Sequence, residues 1–352
     1  MEKKSSSNFN FQKIFNKPVE EIDEIIKNKD RNIEKFTIPK KDGSKRNVIA
    51  PSKDLKYIQK SLYWRLFRRY KANDAAHGFV SKRGISTNAE PHVGAKSMGK
   101  IDISNFFDSI STDHLKNCLF GNQHVCRYCK HYERMMDGLC NPSIYKNKEI
   151  DYKYKCDELK AIFIPNYCEI TGYNSLFTRV IEICTYNGYC AQGFPTSPII
   201  ANIVLRGFDQ TMSGHCNDNN IAYTRYADDL AFSSKELSKE ELKKIIIKKA
   251  YQQLFAYGFQ PNKKKTMFKS NAGRMKVCGV VTNVKKNIQR SVVHTFRAKC
   301  HNFIIRFPEK ATKKRLRELK GWASFLMSIN PDKGRYYMDK LTCFEKTRFK
   351  VA

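Results

Sequence analysis

Tyr223-Thr224-Arg225-Tyr226-Ala227-Asp228-Asp229-Leu230-Ala231-Phe232-Ser233 is a largely apolar stretch with two adjacent aspartates at its middle. Tyr223 to Ser233 reads as strand, tight turn, strand, with the two adjacent aspartates at the turn. An ionised carboxylate partly buried in such a hairpin is costly unless a cation compensates it. Two side by side point to a bound dication, against the bland alternative of a solvated Asp-Asp turn. A third carboxylate, Asp102, lies in the short strand Ile101-Asp102-Ile103, ahead of Ser104-Asn105-Phe106-Phe107-Asp108-Ser109-Ile110. If that strand lies beside the hairpin, Asp102 and Asp228 converge at one end of a sheet. Hard oxygen ligands of this kind suit Mg²⁺. Two such ions about 3.5–4 Å apart can activate an attacking hydroxyl and stabilise a leaving phosphate oxygen.

Working outward, Ala191-Gln192-Gly193-Phe194-Pro195-Thr196-Ser197-Pro198 lies between the two acidic segments. Gly193 allows close backbone approach, and the prolines stiffen the entry to a helix. Ser197 is expected as N-cap with Pro198 at the first helical position, the helix running through Ile199, Ile200, Ile203, Val204 and Phe208 towards Gly214. Ser238-Lys239-Glu240-Glu241 is a capping box that opens a helix to about Gly258. Upstream, two β-prone runs flank Asp42-Gly43 between Phe36 and Pro51, a hairpin signal with a basic tip. Leu55, Ile58, Leu62 and Leu66 mark an amphipathic helix reaching Tyr70, with Arg65, Arg68 and Arg69 on its other face. Val19, Ile22, Ile25 and Ile26 give residues 1–35 a helical pattern. At the other end, residues 290–352 hold 16 Lys+Arg against 5 Asp+Glu. Leu316, Leu319, Trp322, Phe325 and Leu326 interleave those charges, which makes the segment a basic helical module and not a solvated tail.

The whole chain of 352 residues carries 65 Lys+Arg against 34 Asp+Glu, a formal charge of +31. Self-repulsion of that size favours a phosphate-rich partner, and 12% aromatic residues supply stacking surfaces for bases. With 41% hydrophobic residues a core can form, so disorder throughout is excluded. No apolar run approaches the ~20 residues of a membrane span. The start, Met1-Glu2-Lys3-Lys4-Ser5, has no apolar segment behind its charges, so a cytoplasmic protein with twelve unpaired cysteines is expected.

The Tyr-Ala-Asp-Asp box, the Asp102 strand with Phe106-Phe107, and Gln192-Gly193-x-Pro195-x-Ser197-Pro198 stand in the order found in a reverse transcriptase. Ile38-Pro39-Lys40 to Arg46 resembles that family's fingers hairpin, and Gly258-Phe259-Gln260-Pro261-Asn262-Lys263-Lys264-Lys265-Thr266 its lysine-bearing motif. Asn88-Ala89-Glu90-Pro91-His92 resembles the Asn-Ala-x-x-His box of bacterial retron reverse transcriptases. Val277-Cys278-Gly279 resembles their Val-Thr-Gly triplet, with Cys at its centre.

The resemblance implies an α+β right-hand polymerase with palm, fingers and thumb. Its expected parts are an N-terminal helical segment (1–35), fingers (36–100), palm (101–118 and 177–285), a Cys-rich insertion in the palm/fingers region (119–176) and a basic helical thumb (286–352). It also implies that a primer hydroxyl attacks the α-phosphate of a dNTP. Asp102, Asp228 and Asp229 would be catalytic, and Asp102, Ile103, Asp228 and Asp229 the site of two Mg²⁺ ions. Lys40, Arg46, Phe107, Gln192, Gly193 and Lys265 would form the nucleotide pocket, Phe107 as the gate against a ribose 2′-hydroxyl. Lys263 and Lys264 compete with Lys265 for its role. Asn88, His92, Arg315, Arg317 and Lys320 would touch RNA. The implied partners are a cognate non-coding RNA, its RNA-linked DNA product (msDNA), dNTPs, an effector protein of an antiphage system and a second copy of the chain. No membrane partner is implied.

Eight of the twelve cysteines fall between 118 and 190. Cys126, Cys129, Cys140 and Cys156 offer a Zn²⁺ ligand set that opens with a CxxC. The later spacings, with ten and fifteen residues between, fit no ordinary zinc pattern and favour reduced thiols. Two other functions compete with a retron enzyme. One is a defence-associated reverse transcriptase with different priming; the other is a non-catalytic RNA-binding polymerase fold, against which the intact acids argue.

Overall fold

Alternation along Ser97–Asp102 decides which residues meet. Ile101 is fully buried, while Met98, Lys100 and Asp102 share the opposite face of the strand. This strand lies inside a four-stranded antiparallel sheet, ordered Ala222–Tyr226, Asp229–Ser234, Ser97–Asp102, Met267–Ser270. In register, Asp102 faces Asp229, Lys100 faces Ala231 and Met98 faces Ser233. Leu230 and Phe232 fill the buried face. The helix Lys239–Ala256 packs on the sheet through Leu242, Ile246, Ala250 and Leu254, each four residues after the last. Its capping box forms as expected: Ser238 N donates to Glu241 Oε2 at 2.8 Å, and Glu241 N to Ser238 Oγ at 3.3 Å.

The structure, a computed structural model, describes residues 14–39, 43, 45–120 and 173–349. It divides into two compact units: Met1–Asn73 with Ser104–Gly207 and Tyr257–Phe259, and Asp74–Ile103 with Phe208–Ala256 and Gln260–Ala352. Lys40 and the cysteines 126, 129, 140 and 156 lie outside the described residues, as does nearly all of the 119–176 insertion.

In the first unit, Ile33–Pro39 pairs antiparallel with Lys45–Pro51, the expected hairpin. The helix Lys53–Arg65 is capped by Ser52 Oγ, which accepts from Leu55 N at 3.2 Å. It stops short of Tyr70 because the backbone tightens into a 3₁₀ turn over Phe67–Arg69. In the helix Ser197–Val204 the N-cap position is Thr196, without a side-chain cap, and not Ser197, whose hydroxyl donates to Ala191 O at 2.7 Å. It ends at Leu205, and a second helix, Arg206–Asn217, begins at once. The expected single helix towards Gly214 is therefore two.

The second unit carries the sheet and the basic module. Arg290–His301, Lys313–Ile329 and Pro331–Arg348 are helices around Phe296, Cys300, Leu316, Leu319, Ala323, Leu326 and Leu341. Among the described residues no helix is long and apolar enough to cross a membrane.

Candidate active site

The hairpin turn consists of Ala227 and Asp228, between the register pair Tyr226 and Asp229. Ala227 takes φ +56, a left-handed conformation unusual for a residue with a Cβ. Ile103 N donates to Asp228 O at 3.0 Å, which ties the residue after Asp102 to the turn. With Asp102 opposite Asp229, three carboxylates from distant segments meet at one end of the sheet.

Burial raises the pKa of Asp228 above its ordinary value, and the negative charges of Asp102 and Asp229 raise it further; Lys265 opposes them. Burial also raises Asp229, against Lys100. Two lysines supply the nearby positive charge. Lys265 Nζ lies 3.1 Å from Asp102 Oδ2, and Lys100 Nζ lies 2.7 Å from Asp229 Oδ2. Asn262 holds Asp102 from both sides, N donating to its carbonyl at 2.7 Å and Nδ2 to Oδ2 at 3.2 Å. Among the described residues no three His, Cys, Asp or Glu side chains form a ready-made metal cage. The donor chemistry nevertheless fits a hard dication: three carboxylates in one place, two of them reluctant to ionise without more positive charge than the lysines provide.

The reverse transcriptase (RNA-dependent DNA polymerase) family model matches residues 38–282, which contain all these groups. The chain belongs to this family. Its curated relatives include Retron Mx162 reverse transcriptase of Myxococcus xanthus, 28% identical over 89% of this chain and 61% of that protein. Retron Ec86 reverse transcriptase of Escherichia coli is 27% identical over 88% of this chain and 81% of that protein. Retron Mx65 reverse transcriptase of Myxococcus xanthus is 26% identical over 84% and 61%. The matches thus span about three fifths of the two Myxococcus proteins.

Other parts of this reverse transcriptase sort cleanly. Of the three candidate lysines, Lys265 is the one paired with Asp102. Of the adjacent phenylalanines, Phe106 is core, packed near Phe259, whereas Phe107 is half-buried. Gln192 O accepts from Ile49 N at 2.8 Å, which brings the Gln192-Gly193 loop against the strand that carries exposed Arg46. A Cβ on Gly193 would stand 2.5 Å from Ile49 O, and φ there is +122, so only glycine fits.

Asn88 and His92 require a correction. Both are fully buried, so neither presents a surface to RNA. His92 Nδ1 lies 2.7 Å from Ser233 Oγ and Nε2 lies 2.8 Å from Thr224 Oγ1, bridging both strands of the hairpin that carries Asp228 and Asp229. Burial lowers its pKa to about 3, so it works as a neutral ring. In the basic helical module Arg315 pairs with Glu318 and Lys320 with Glu345, while Arg317 Nε donates to Lys313 O at 3.4 Å.

Sequence reasoning missed a group beneath the turn. Arg225 and Asp209 are both fully buried and form a two-point ion pair, Nε to Oδ1 at 2.8 Å and Nη2 to Oδ2 at 2.6 Å. Tyr223 OH donates to Asp209 Oδ1 at 2.8 Å, and Arg225 Nη1 to Ala227 O at 3.2 Å. The guanidinium therefore holds the carbonyl just before Asp228. An arginine inside an otherwise apolar strand was the available signal.

Proposed function

We propose that this chain is the RNA-directed DNA polymerase of a retron, copying a cognate structured RNA into a short single-stranded DNA joined to that RNA. The observation that carries the reading is the meeting of Asp102 with the 228/229 pair, inside a family match that spans the site. Asp102 and Asp228 would hold two Mg²⁺ ions, with the Ile103 backbone beside them and Asp229 positioning the primer end. Bound there, the ions would supply charge neutralisation to the primer hydroxyl and to the departing pyrophosphate. Lys265 supplies a mobile, largely exposed ammonium for the leaving phosphate once released from Asp102. Arg46 offers a guanidinium to the triphosphate, and Gln192 and Gly193 shape the nucleotide's surroundings.

Phe107 is the sugar gate in this reading. Phe107→Ala is expected to raise ribonucleotide incorporation relative to dNTP by about tenfold or more, ~1.4 kcal/mol of lost discrimination. Unchanged selectivity in single-nucleotide extension would return Phe107 to a packing role.

The +31 charge and the basic thumb fit an RNA partner, and the reading places the enzyme in the cytoplasm as part of an antiphage system with an effector protein. The direct test is to extract and sequence the nucleic acid that copurifies with the protein. A short DNA covalently joined to a structured RNA is expected. DNA free of RNA would favour a defence polymerase with other priming, and no DNA at all would remove the retron assignment.

A further inference from the structure

The strands Lys276–Val277 and Val280–Val281 are joined by a two-residue turn, Cys278-Gly279, with Val277 opposite Val280. Both turn residues have positive φ, +47 and +84. That is the signature of a type I′ turn, whose first position favours Asn, Asp or Gly. A cysteine there is a poor choice for the turn itself. Strained backbone of this kind persists where a side chain is being held for another purpose.

The thiol has two partners. Asn88 Nδ2 donates to Cys278 Sγ at 3.3 Å, and Cys278 Sγ donates to Asp229 Oδ2 at 3.8 Å. The same Oδ2 accepts from Lys100 Nζ at 2.7 Å. Asn88 is itself fixed: its carbonyl accepts from Thr224 Oγ1 at 3.3 Å, and Thr224 is held in turn by buried His92. A continuous polar chain thus runs from His92 through Thr224, Asn88 and Cys278 to a catalytic carboxylate. It links three segments far apart in sequence: the 88–92 box, the catalytic hairpin and the 276–281 hairpin.

Resting on the polymerase reading above, we propose that Cys278 is a positioning residue for Asp229, anchored by Asn88. The buried Asn-Ala-x-x-His box thereby sets the orientation of a catalytic acid. The thiol fixes one oxygen of Asp229 together with Lys100 and leaves the other for a cation. Because S–H is a weak donor, the contact orients the carboxylate without drawing off much of its charge.

Cys278→Gly separates this role from a structural one. Glycine is favoured in the turn, so the thermal midpoint of the variant should equal or exceed that of the wild type. The lost contact should lower kcat for DNA synthesis by about tenfold while leaving the KM for dNTP within about twofold. Mn²⁺ binding to the nucleic-acid-free protein, followed by electron paramagnetic resonance, should weaken by at least about threefold. Cys278→Ser restores a donor at the same place and should recover both properties. Adding Asn88→Ala to Cys278→Gly should lower kcat no further, because the anchor acts only through the thiol. The proposal is overturned by wild-type kcat and Mn²⁺ affinity in Cys278→Gly, or by a loss that Cys278→Ser does not recover. A wild-type protein that makes no DNA on an RNA template would instead remove the polymerase reading, and the Mn²⁺ titrations would still decide the role of Cys278.

Discussion

Asp228→Asn is expected to abolish DNA synthesis, by at least about a thousandfold in kcat, and at the same time to raise the thermal midpoint of the metal-free protein. The two effects have one cause. Burial and the charges of Asp102 and Asp229 lift the pKa of Asp228 above its ordinary 3.8. The folded state therefore binds that proton more tightly than the unfolded chain does. This contribution to stability is fully present below pH 3.8 and is lost as pH rises through the raised value. At neutral pH the ionised group destabilises the fold unless a cation sits beside it. Asparagine keeps the shape and removes the charge, so stability rises as catalysis fails. Thermal scans with and without Mg²⁺ make the check: Mg²⁺ should stabilise the wild type and have little effect on the variant. Retained synthesis, or a lower midpoint in metal-free buffer, would take Asp228 out of the metal site.

The second large effect concerns the pair beneath the turn. Arg225→Ala removes the cation from the buried Asp209 carboxyl, leaving Tyr223 as its hydrogen-bond donor among the described residues. Breaking a buried ion pair from one side costs about 3–5 kcal/mol, far more than the pair is worth against an apolar substitute. Arg225→Met combined with Asp209→Leu should therefore recover much of the stability lost in Arg225→Ala. Activity should not return in the double variant, because the hydrogen bond from Arg225 to Ala227 O is gone in both. Urea titrations together with primer extension would test this. A loss under about 1 kcal/mol in Arg225→Ala would mean that the pair relaxes into water and does not support the turn.

What could be read from the chain alone was set by local chemistry. The 223–233 hairpin, the pairing of Ile33–Pro39 with Lys45–Pro51 and the Ser238 capping box each depend on a few neighbouring residues; each forms, the first with its turn at Ala227-Asp228, one residue ahead of the aspartate pair. The convergence of Asp102 with the hairpin depended on the two strands lying side by side, which the sheet register supplies. Long-range pairing was not legible in the same way. The role of Arg225 depends on Asp209, which lies on a different element. His92 and Asn88 read as polar contacts for RNA, yet their partners are hydroxyls and a thiol brought in from other segments. The helix break at Leu205 was hidden because apolar spacing continues across it to Phe208. That Phe106 is core while Phe107 is half-buried depends on the position of Phe259, more than 150 residues away.

The central claim is that Asp102 and the 228/229 pair share a divalent cation. Crystals of the protein with an RNA template, a primer and a dNTP analogue, grown in Mn²⁺, would show this by anomalous scattering. The account predicts Mn²⁺ within about 2.0–2.6 Å of carboxylate oxygens from both Asp102 and Asp228, with Lys265 displaced from Asp102. Manganese bound elsewhere, with Lys265 still paired to Asp102 in the ternary complex, would contradict it.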